Sequence, residues 1–150
     1  MNRYYSPDGN LEIWEKQPEG YMTDEQWQIL HLEISVPEFK AIKKREIASL
    51  RYEKEISGII FGDYLIATDR DSQSLITGAA LAAIQDSSYT VRWKTASGFI
   101  TLTSDQILSV AQAVRTHVQG CFDKEADLTA AIDEAESIAE LKSIVWTEAI

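Results

Sequence analysis

The chain has 150 residues, 45% of them hydrophobic and 25% charged, the balance of a soluble globular protein with one domain, or one domain and an arm. A net charge of −10 argues against nucleic-acid binding, which depends on Lys and Arg neutralising phosphates. One cysteine, Cys121, leaves no internal disulfide, no apolar run nears the roughly 18 residues of a membrane span, and Met1–Gly20 has no signal-peptide core, so the expected compartment is the cytoplasm.

In chain order, Tyr4-Tyr5-Ser6 and Leu11-Glu12-Ile13-Trp14 flank Pro7-Asp8-Gly9-Asn10, a strong turn signal, and predict a small hairpin. Thr23 with Gln26 forms a capping box that opens a short helix over about Asp24–Leu32. Together these make an N-terminal arm over residues 1–34. Residues 35–150 then form the main domain. Ser35, Pro37 and Glu38 open a helix to about Ser57, with Phe39, Ile42, Ile47 and Leu50 on its buried face and Gly58 as its stop. Lys40, Lys43, Lys44, Arg45 and Arg51 on this helix are interleaved with Glu38, Glu46, Glu53 and Glu55, which reads as a solvated mixed-charge face rather than a basic patch.

Ile59-Ile60-Phe61 and Tyr64-Leu65-Ile66-Ala67 around Gly62-Asp63 predict a tight hairpin. A helix over about Ser72–Gln85 follows, carrying a small-residue face at Gly78, Ala79, Ala80, Ala82 and Ala83. A second hairpin runs Tyr89–Thr95, turns at Ala96-Ser97-Gly98 and returns through Phe99–Thr103. Thr103 and Gln106 cap a long helix on which Ile107, Ala111, Val114, Val118, Cys121, Glu125, Leu128, Ile132 and Ala135 step by four and three. This heptad seam is broken only at Glu125. Ser137 and Glu140 start a last short helix, Ile138–Val145. The fold class is therefore α+β: two small hairpins packed with helices, a long C-terminal helix with a heptad seam, and a small extended N-terminal arm.

Chemistry is sparse in this pattern. His31 and His117 lack the neighbours that a catalytic or metal pair needs, and read as structural histidines. Thr68-Asp69-Arg70-Asp71 invites a divalent-cation reading, but it has no central Gly and no closing Glu. Its carboxylates suit capping of a helix N-terminus. Cys121 has His117 one turn earlier but lies on the apolar seam, where a thiol packs as a small hydrophobe. No phosphate loop or hydrolase motif appears. The expectation is a protein that is not an enzyme, with no catalytic residue, no metal and no cofactor.

Contact residues are easier to nominate. Trp93, between Arg92 and Lys94 in a strand, faces the core by alternation. Trp14 and Trp146, near the chain ends, are candidate interface anchors. The seam positions Ile107, Ala111, Val114, Val118, Leu128 and Ile132 are candidates for meeting another chain, as in a homo-oligomer, against the alternative that the stripe packs on the chain's own hairpins, and Leu128→Asp is expected to disrupt such association.

Three blocks carry a resemblance: Thr68-Asp69-Arg70 with Ser72-Gln73; Trp93-Lys94-Thr95 with Gly98-Phe99 and Leu102-Thr103; and His117-Val118-Gln119 with Cys121-Phe122-Asp123, Glu125 and Leu128. Over roughly residues 45–142 the chain resembles an uncharacterised domain family of bacteriophage and prophage tail modules, often in tail fibre assembly proteins. The opening Tyr-Tyr-Ser and turn is also similar to the start of such proteins. The resemblance implies a non-enzymatic tail fibre assembly chaperone, active in the host cytoplasm and able to stay bound in the virion tail. Its partner would be the fibre protein or another tail subunit, with no nucleic acid, membrane or small-molecule substrate. The alternative is a structural virion component of the fibre, tip or baseplate. A third reading, a small inhibitor of an enzyme or nuclease, rests on acidic charge alone.

Overall fold

The computed structural model of the chain describes residues 1–23, 26, 27, 30 and 34–148. It divides into two compact units, Met1–Ser35 and Val36–Ile150. In the first, β1 (Asn2–Tyr5) pairs with β2 (Leu11–Trp14) and with β3 (Met22–Thr23), in the order β2-β1-β3. The Pro-Asp-Gly turn closes the expected hairpin: the Gly9 amide donates to the Ser6 carbonyl at 2.9 Å, and the Asn10 amide to Ser6 Oγ at 3.0 Å. The two-residue strand β3 carried no signal of its own. Tyr5 stacks on Trp27, with ring centroids 4.4 Å apart. The expected helix over Asp24–Leu32 lies partly outside the described residues, as does His31, but its capping box is made. Gln26 donates its amide to Thr23 Oγ1 at 3.1 Å, and Thr23 donates to Gln26 Oε1 at 3.0 Å.

The second unit is mixed α and β, as the pattern predicts. Helix α1 (Val36–Glu55) leads to hairpin β4 (Ile59–Phe61) and β5 (Tyr64–Ile66). Gly62, at φ 60, occupies the first central position of their two-residue turn, and Asp63 keeps a negative φ. That combination makes a type II′ turn, matched to strand twist. Helix α2 (Arg70–Gln85), hairpin β6 (Thr90–Thr95) and β7 (Gly98–Thr103), the long helix α3 (Ser104–Glu134) and α4 (Ile138–Ser143) follow.

Local chemistry sets the helix starts. Asp69 caps α2, accepting from the Ser72 amide at 3.1 Å. Its exposed carboxyl is held below the usual range by the Ser72 hydroxyl and amide. Thr103 and Gln106 form the full capping box of α3, and Ser137 caps α4. Each of these caps is the one the sequence indicates.

Helix α3, about 46 Å long at 1.5 Å per residue, is the spine of the unit. Its first half enters one apolar core, where Ile107, Val110 and Val114 meet Ile76, Ala79 and Ala83 of α2, Ile66 of β5 and Leu102 of β7. Its second half enters another, where Ile132 and Ala135 meet Ile47 of α1 and Leu141 of α4. Lys40 and Lys44 reach Asp133, Arg51 reaches Glu125, and the end of α1 reaches His117. Positions that advance along α1 therefore retreat along α3, so the two helices are antiparallel.

Two expectations about α1 are corrected. Ile42 is exposed, while Ile47 is fully buried with Phe39 and Leu50 packed against its core. The charged face is not uniformly solvated either. Lys43 and Glu55 are buried and the Arg51 side chain is nearly so: Arg51 is covered where it meets Glu125 of α3, and Glu55 where it meets Arg70 and Gln73 of α2.

Candidate functional site

The Thr68-to-Gln73 and His117-to-Glu125 blocks, distant in sequence, meet at the C-terminus of α1. Glu55 sits there, 2% exposed. Its carboxylate accepts from Arg51, one turn earlier on α1, from Gln73 Nε2 at 3.2 Å, and is ion-paired with Arg70 Nε at 3.4 Å. Burial pushes the Glu55 carboxyl up, but hydrogen bonds from Gln73, Arg70 and Arg51 outweigh it and hold it below its ordinary value. Arg51 also donates Nε to Glu125 at 2.8 Å and lies 4.4 Å from the Phe122 ring centroid.

The end of α1 is closed by the same blocks. Thr68 Oγ1 donates to the Glu55 carbonyl at 2.6 Å and accepts the Gly58 amide at 2.9 Å. Gly58 takes φ 85, a left-handed conformation that stops the helix, and its missing Cβ would meet the Ile66 carbonyl at 3.1 Å. His117 Nε2 lies 2.9 Å from the Lys54 carbonyl and 3.2 Å from that of Glu55. Carbonyls only accept, so Nε2 carries the proton and His117 caps α1. Nε2 is thereby committed to the end of α1. Burial, then Glu55, pushes the Cys121 thiol up, as suits a packing residue.

Every group in this cluster is thus engaged in joining α1, α2 and α3 between the two cores. Its chemistry is that of a joint. Among the described residues, no group of three or more His, Cys, Asp or Glu is placed to hold a metal. A solvent-facing depression of about 610 Å³ lies over it, edged by Arg70, Thr77 and Phe122.

The Trp93-to-Thr103 block builds a different feature. In β6 the inward positions Val91, Trp93 and Thr95 alternate with exposed Arg92 and Lys94, so Trp93 packs toward the core as alternation predicts. Among the described residues β6 pairs only with β7, which leaves its other edge without a strand. Along that edge runs a groove of about 790 Å³, walled by β6 and by Ser72, Leu75 and Gly78 of α2. Phe99 and Leu75 stand at its mouth, 71% and 65% exposed. A shallower depression of about 270 Å³ shares Ala67, Lys94 and Thr95 with it and continues toward Leu65 and Gly58. Neither is lined by Asp or Glu, although the chain has 24 acidic residues and 14 basic ones.

The residues nominated from sequence as partner contacts mostly lie elsewhere. Ile107, Val114 and Ile132 are buried in the chain's own cores, and Ala111, Val118 and Leu128 pack against them. The seam is therefore filled by α1, α2, α4 and the hairpins rather than held open for another chain. Its break has a reason: Glu125 is the acid that pairs with Arg51. Trp146 is half-buried on the second core, with Lys124 Nζ 5.1 Å from its ring. Trp14 alone among the nominees is well exposed, at 45%, its indole N–H donating to Glu12 at 3.0 Å and its ring edge-on to Tyr21. Sequence reasoning missed the groove: Gly78, Phe99 and the alternating charges of β6 are visible in the chain, but nothing local brings them together.

These features define a small α+β domain: helices α1, α2 and α3 joined at a polar cluster around the buried Glu55, a short α4 and two hairpins, with an apolar groove at one strand edge. The chain belongs to the family described as a domain of unknown function, DUF4376, whose model matches residues 38–145 and spans all three blocks. No curated protein and no solved structure matches the chain.

Proposed function

We propose that this protein is a non-enzymatic bacteriophage tail protein that binds a tail fibre and assists its folding and assembly. The observation that carries the binding role is the groove beside β6, with Phe99 and Leu75 exposed at its mouth, since large apolar side chains flanking a concave surface suit contact with another chain. The assignment to tails comes from the resemblance of the three blocks. Support for a role without catalysis comes from the polar cluster at Glu55, whose donors and acceptors are spent on holding helices together. The acidic surface keeps such a factor soluble in the host cytoplasm.

The test is mass in solution by light scattering after size exclusion, with and without the co-expressed distal segment of the fibre. The reading expects a monomer that joins a defined complex with that segment. A homo-oligomer indifferent to the fibre, and present stoichiometrically in purified particles, would instead make it a structural subunit of the tail.

A further inference from the structure

We infer that the groove between β6 and α2 takes an extended, acidic and apolar segment of a partner chain as an added β-strand. The inference rests on the proposed binding role and names the chemistry of the partner. Three observations converge on it. The first is the free edge: in an antiparallel pair every second residue turns its N–H and C=O away from its neighbour, and among the described residues the six-residue β6 is hydrogen-bonded to no strand but β7. A strand of that length is what a peptide needs for main-chain pairing, with alternate side chains entering the groove.

The second is room beside the edge. Gly78 gives α2 no side chain there, and a Cβ built on it meets no atom within 4 Å. A strand laid along β6 is thus bounded by the helix rather than blocked by it. Phe99 and Leu75 are positioned to cover its apolar residues.

The third is charge. In a chain of net charge −10, the groove and its continuation are lined by Arg92 and Lys94 and by no carboxylate. An acidic segment gains attraction there that the rest of the surface would oppose. A second copy of this chain could meet the same edge, but it would bring its own Arg92 and Lys94 against those already present.

The experiment uses the full chain and a fluorescein-labelled peptide Glu-Val-Glu-Phe-Glu-Val, with binding read by anisotropy at low salt. Saturable binding is expected, with affinity falling as salt rises. Gly78→Trp, which fills open space and leaves the circular dichroism unchanged, should weaken binding by about tenfold or more, and so should Arg92→Glu combined with Lys94→Glu. A peptide N-methylated at alternate residues should lose binding on the parent protein, because one edge of its backbone can no longer donate. Equal binding of the N-methylated peptide would overturn strand addition, and equal binding by folded Gly78→Trp would overturn the groove. A dimer of the protein alone that Gly78→Trp dissolves would make the occupant a second copy and overturn the inference. The assay contains no fibre, so its failure leaves the fibre-complex measurement standing as an independent result.

Discussion

At the scale of single residues, the sharpest consequence of the structure is at Glu55. Glu55 is the common acceptor of two guanidiniums and an amide, and its removal leaves the nearly buried Arg51 with Glu125 as its remaining counter-charge. Glu55→Ala should therefore lower stability by about 3 kcal/mol or more in urea unfolding. The pH dependence follows from the direction of its shift. The folded-state value lies below the ordinary one, so the unfolded chain binds more protons on acidification. The stabilisation is present above the ordinary carboxylate range and is lost as pH falls through the depressed folded value. Unfolding midpoints measured from pH 7 down to about pH 3 should fall more steeply for the parent than for Glu55→Gln, the steep part lying below about pH 4. A parallel decline in the two proteins would show that Glu55 is not the group responsible.

Among the elements, α3 is where sequence and structure diverge most instructively. The heptad period correctly indicates a long helix with one apolar stripe. Periodicity, however, has no means of distinguishing a partner helix in the same chain from one in another. The antiparallel α1 and the hairpins fill that role, so Leu128→Asp should lower stability by about 2 kcal/mol or more while leaving mass in solution unchanged. A change in mass with the fold retained would restore the intermolecular reading. Caps at Asp69, Thr103 and Ser137 were legible because both partners lie within a turn of one another. The joint was not, because Arg51 and Glu125 are 74 residues apart and nothing local marks them as a pair. The groove escaped notice for a related reason. Gly78 reads locally as a packing residue, and only the placement of β6 beside α2 shows that it opens a space. Gly78→Ala should raise stability by about 0.5–1 kcal/mol, since Ala is the better helix former and its Cβ meets nothing.

The whole molecule is a domain of residues 36–150 with two apolar cores of its own, preceded by a separate three-stranded unit. All the helix caps and ion pairs described for the second unit have both partners inside it, so a chain starting at Val36 should keep its helical circular dichroism and cooperative unfolding. Loss of cooperativity would show that the N-terminal unit completes the fold. Trp14 belongs to the first unit and the groove to the second, and the groove is where a fibre is proposed to be met. The measurement that tests this most directly is hydrogen exchange along the full chain, with and without the distal segment of the fibre. Slowed exchange confined to β6 and the facing turns of α2 is the predicted result. Protection along the seam of α3, or none anywhere, would rule out the groove as the place where a fibre binds.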